Sequence, residues 1–125
     1  VDAMIYMVVA ALGFATVENI GALQGFTPHV ALVGSVFETL SLRFVGATLL
    51  HTLTSAIVGY FWAISIRDFN SHRFVVWGLA LATILHTLFN YFIIVNDSFA
   101  YPVLFVLIVG FFVLNDFEKL NKKTL

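Results

Sequence analysis

Long apolar runs separated by short polar interludes organise this chain. Residues 44–66 and 74–96 contain no Asp, Glu, Lys or Arg, and residues 98–115 form a shorter run of the same kind. About 20 apolar residues carry a helix across the hydrocarbon core of a bilayer, so each run predicts a membrane span. A fourth run, residues 3–23, is interrupted only by Glu18 and Asn19. The pattern predicts an all-α, polytopic membrane helical bundle of about four transmembrane helices, at roughly 3–23, 44–66, 74–95 and 98–115. Between the first two spans, Gly25, Pro28 and Gly34 act as breakers, and ALVGSVFETLSL at 31–42 mixes apolar and polar residues. That stretch is expected to lie along the interface as a short helix. Four spans within 125 residues make a single membrane domain over residues 1–125, with no room for a soluble one.

Composition agrees with the pattern. The chain is 61% hydrophobic and 10% charged, whereas soluble domains carry roughly a quarter charged residues. A net charge of −1 argues against nucleic-acid binding. With no cysteine there is neither a disulfide framework nor a thiolate site. Charge placement orients the bundle: Arg67 and Arg73 flank the short connection between the second and third spans, Lys119, Lys122 and Lys123 follow the fourth, and only Arg43 lies on the other side. The basic side is expected to be cytoplasmic, with both ends of the segment there.

Three ionisable side chains break the apolar pattern from within: Glu18, His51 and His86. A carboxylate or imidazole at membrane depth costs several kcal/mol unless it is paired, neutralised or bound. At a rise of about 1.5 Å per residue, Glu18 lies about 8 Å below the outer end of its span, His51 about 11 Å and His86 about 14 Å. All three depths fall in the outer half of the membrane, so three antiparallel helices could bring the groups into one layer.

The two histidines share a local echo. TLLHTLTS at 48–55 and TILHTLFN at 83–90 match at five of eight positions, on antiparallel spans. At about 100° per residue, Thr48, His51, Thr52, Ser55 and Gly59 share one helix face, and Thr83, His86, Thr87 and Asn90 share another. Small and hydroxylated residues also line ordinary contacts between membrane helices, so a structural hydrogen bond is an equal reading for either histidine alone.

Glu18, His51 and His86 could supply three ligands to a zinc ion and leave a fourth position for water. Such an ion lowers the pKa of its water and polarises a carbonyl. The spacing is not that of an HExxH site. A metal-free alternative has Glu18 as base, with the histidines and Asn90 stabilising an oxyanion. Asn90 stands one turn beyond His86, where a helix–helix hydrogen bond is its plainer role. Asn19 points about 100° away from Glu18, and Phe14, one turn before it, reads as packing. A buried glutamate and histidines also suit a non-enzymatic transporter or proton-relay module, but the echo is too short for the inverted repeats such proteins carry.

GFATVENI at 13–20, Arg43 with His51 eight residues on, HTLTSAIVG at 51–59 and HTLFN at 86–90 together resemble the PrsW family. These are prokaryotic polytopic membrane proteases akin to the type II CAAX prenyl endopeptidases. The resemblance implies an active site containing Glu18, within a Phe-x-x-x-Glu motif, together with His51, His86 and Asn90, and usually a metal. It also implies a membrane-anchored, anti-sigma-factor-like protein substrate cut near the outer face of a prokaryotic cell membrane. The family's Glu-Glu-x-x-Lys/Arg motif would fall upstream of Asp2. The chain, which begins at Val1, is therefore expected to be an N-terminally incomplete protease or a degenerate relative.

Overall fold

The computed structural model describes residues 1–24, 44–67, 72–95 and 100–122. The interfacial helix expected at 31–42, with Glu38 and Arg43, lies outside the described residues. Among those described there is no strand. Four long helices account for nearly all of them: α1 (Asp2–Gln24), α2 (Leu49–Arg67), α3 (His72–Val95) and α4 (Ala100–Lys122). A π-helical turn, Phe44–Thr48, leads into α2. All four helices are long and apolar enough to cross a membrane.

The helices extend beyond the apolar runs at two places. α3 begins at His72, although His72 and Arg73 read as connection by charge. α4 continues to Lys122, beyond the end of the span expected at 98–115. Ion pairs at helical spacing support this last stretch: Lys119 Nζ to Asp116 Oδ1 at 2.8 Å, and Lys122 Nζ to Glu118 Oε2 at 3.5 Å. Each such pair adds only a few tenths of a kcal/mol, but residues 116–122 contain no helix breaker to oppose them.

α2 is the centre of the bundle. α1 and α3 pack along it on two sides, and α4 touches it more lightly. Its Ala56 and Ile57 join Met4 of α1 and Val109, Val113 and Leu120 of α4 in one buried cluster. Leu50, Phe89 and Val106 form a second, smaller cluster. Lipid gives apolar helices no hydrophobic reason to associate, so close backbone approach has to do much of that work. Gly59 provides it: a Cβ there would sit 2.6 Å from Met4 Cα and 2.8 Å from the Ala3 carbonyl oxygen. Outward faces carry Trp77, Ile94, Phe112 and Leu114, all exposed, as lipid-facing surfaces should be.

Five threonine hydroxyls within the spans are satisfied locally. Thr16, Thr52, Thr54, Thr83 and Thr87 each donate to the carbonyl one turn back, at 2.8–2.9 Å. This removes the cost of carrying a hydroxyl proton into an apolar medium.

Candidate active site

The end of the bundle opposite the Met4–Gly59 crossing gathers the polar groups. α1 brings Glu18 to its last two turns, the π-helical turn delivers His51 to the first turn of α2, and α3 carries His86 along its middle. His51 Nε2 lies 2.9 Å from Glu18 Oε2, a hydrogen-bonding distance between imidazole and carboxylate. The two side chains are 18% and 37% exposed, so the pair is sheltered but accessible. The His86 ring lies 4.9 Å from that of His51, centroid to centroid, tilted by 42°. Three ionisable groups from three helices thus meet at one place. Asn90, one turn beyond His86, is exposed.

Two further contacts hold this cluster. Phe14 sets its ring edge-on to His51, with centroids 5.4 Å apart at 81°, and so forms a wall against the imidazole. The i, i+4 spacing of Phe14 and Glu18 puts both on the face that meets α2. Asn19 Nδ2 donates to Thr48 Oγ1 at 3.1 Å. Although Asn19 points away from Glu18, both reach the start of α2, one bonding Thr48 and the other His51. Thr48 closes the π-helical turn and is buried. A single π turn widens the helix locally and is a common device at functional sites. Here it lies directly before His51.

Two imidazoles and a carboxylate are the donor types zinc prefers. Their arrangement does not fit an ion. Glu18 and His51 engage each other, and among the described residues no group of three His, Asp or Glu is disposed around a point that could hold a metal.

A cavity of about 350 Å³ adjoins the cluster, lined by His86 together with residues of α1, α2 and α3. It lies toward the middle of the bundle from the Glu18–His51 pair.

The model of a family described as PrsW family intramembrane metalloprotease matches residues 1–115. The chain belongs to the PrsW family. No curated protein and no solved structure matches it. Membership of the PrsW family makes this a chain of membrane-embedded protease type, and its four membrane-length helices agree with that.

Proposed function

We propose that the Glu18–His51–His86 cluster is the hydrolytic site of a membrane peptidase that cuts a membrane-anchored protein near the outer face. The observation that carries this reading is the 2.9 Å contact between Glu18 and His51, with His86 against it, in a chain of the PrsW family. Ionisable groups at membrane depth are costly, and a cluster that stays partly open to its surroundings is better suited to chemistry than to packing.

In this reading Glu18 is the general base. It takes a proton from a water molecule, which then attacks the scissile carbonyl carbon. The tetrahedral intermediate carries its negative charge on the former carbonyl oxygen, and His86 and Asn90 supply donors to it. His51 orients Glu18 through their shared hydrogen bond, and Phe14 limits how far the His51 ring can turn. Collapse of the intermediate breaks the C–N bond, and the proton held by Glu18 passes to the leaving amine. The exposed position of Asn90 is what a group that must reach substrate requires.

The family's description names a metal, and zinc is the ion this donor set suits. Binding it would require Glu18 and His51 to release one another. The basic residues Arg67, Arg73, Lys119 and Lys122 lie at the end of the bundle away from the cluster; with that end cytoplasmic, the site falls in the outer half of the membrane.

The test uses the full-length protein in proteoliposomes with a single-span reporter. Cleavage lost in Glu18→Gln, with normal insertion and accumulation, supports the reading; undiminished cleavage sinks it. Chelation separates the two chemistries. Inhibition reversed by added zinc supports the ion, and indifference supports the glutamate mechanism.

A further inference from the structure

α1 and α3 both lie against α2 but have little direct contact with each other, which leaves a trough between them. Its upper lobe is the 350 Å³ cavity that begins at His86. A lower lobe of about 430 Å³ shares Met7 and Val58 with the upper one and reaches Val76. From His86 to Val76 is ten residues of α3, about 15 Å, the length of roughly five residues of extended chain.

The walls of the upper lobe have a specific chemistry. Thr54, Thr83 and Thr87 line it, and each has already donated its hydroxyl proton to its own helix, at 2.8, 2.8 and 2.9 Å. What each still offers is oxygen lone pairs. The upper lobe therefore presents three acceptors with their donors spent, beside Ser55 and His86 in a lining whose other residues are apolar. The lower lobe adds only His72 to apolar residues. The natural complement of those acceptors is a row of N–H groups.

A membrane-spanning substrate acquires such N–H groups when it is cut. As a helix it keeps every backbone group bonded to itself and hides its carbonyls from attack. Exposing one peptide bond means unwinding several residues, and each N–H freed in an apolar medium costs several kcal/mol unless it finds an acceptor. Beside His86 the lining residues Ser55, Ala82 and Thr83 are small, so the space holds backbone and small side chains.

We propose that this trough is the subsite that receives the unwound backbone of a membrane-spanning polypeptide on one side of the scissile bond. Thr83 and Thr87 accept its N–H groups, and the lining beside His86 selects small side chains next to the cut. The proposal rests on the peptidase reading of the adjoining cluster. Thr83 and Thr87 are positioning residues, acting on the substrate backbone and not on the reacting atoms. A lipid acyl chain, which has no donor, is the competing occupant.

The experiment has two arms, both with the full-length protein in proteoliposomes. The probe is a single-span reporter with a Gly-Ala-Ser run in its span and one cysteine beside the run. These 125 residues contain no cysteine, so with any cysteine elsewhere in the full-length protein replaced by serine, Ala82→Cys and the outward-facing Leu81→Cys can each be introduced as a single thiol, in a Glu18→Gln background. A disulfide to the reporter from position 82 and not from 81 is expected. Equal or absent cross-linking at the two positions overturns the proposal and leaves the trough to lipid. In the second arm Thr83→Val, which keeps the shape and removes the acceptor, should raise KM for the reporter about 3- to 10-fold, the worth of one hydrogen bond, with kcat unchanged. Thr83→Ser should restore it, and an unchanged KM in Thr83→Val overturns the acceptor role. Selective cross-linking at 82 in a protein that never cleaves the reporter would sustain the trough and retire the peptidase reading. Cleavage without that cross-link would do the reverse.

Discussion

At one end of the α1–α2 contact, Gly59 lets the Met4 backbone approach so closely that a Cβ would meet its Cα at 2.6 Å. At the other end, Glu18 and Asn19 reach across with polar atoms to His51 and Thr48, at 2.9 and 3.1 Å. The same two helices are thus held by backbone proximity below and by side-chain polarity above. Close approach of small residues is the ordinary means of joining helices in lipid. A carboxylate–imidazole pair is an expensive one, because both groups must first be carried into the membrane. Membrane chains can associate without it, which is why the upper contact is better read as chemistry and the lower one as support.

That contrast breaks down if substitutions at the two ends behave alike. The largest expected effect is at the upper end. Glu18→Gln should slow cleavage of a membrane-anchored reporter on the order of 10²–10⁴-fold, the usual worth of a positioned general base, with accumulation in the membrane unchanged. Next comes Asn90→Ala, expected to lose on the order of 10²–10³-fold in kcat as one missing oxyanion donor, with KM hardly altered. A KM effect alone would place Asn90 in binding.

The lower end should respond in the opposite sense. Gly59→Val forces a side chain into the Met4 backbone, and overpacking of this kind costs about 1–3 kcal/mol. Steric-trap unfolding in bicelles should show that loss, while the specific activity of the molecules that remain folded is kept. If stability held and activity fell, Gly59 would belong with the site. The smallest effect is expected of Asn19→Ala. Hydrogen bonds between membrane helices average about 0.6 kcal/mol, and the same unfolding measurement should find a loss of that size. Thr48→Val should match it, and the double variant should be no worse than either single one.

Much of this contrast is legible in the chain, and for stated reasons. Runs free of charge have few interpretations other than membrane-length helices, so the four helices follow from hydropathy. Glu18, His51 and His86 stand out because a charge at that depth demands a partner, and the structure gives each of them one or more of the others. Other features were hidden. The continuation of α4 through Asp116 and Lys119 is helped by pairing at three- and four-residue spacing and by the docking of Leu120 into the buried cluster, which hydropathy does not register. The π-helical turn before His51 leaves no compositional mark. The Asn19–Thr48 bond joins residues 29 positions apart, and helical periodicity assigns a face without naming the neighbour that meets it. The trough is hidden for a related reason: lipid and a neighbouring helix are equally apolar, so no pattern of apolar residues tells a packed face from an open one.

The central claim is that Glu18 and His51 work as one unit, and a double-mutant cycle on reporter cleavage tests it most directly. Glu18→Gln, His51→Ala and the two combined would be compared at equal amounts of inserted protein. Residues that act together are strongly non-additive, so the double variant should be hardly slower than the worse single one. Losses that multiply, as they do for independent sites, would contradict the account and return the 2.9 Å contact to a purely structural role.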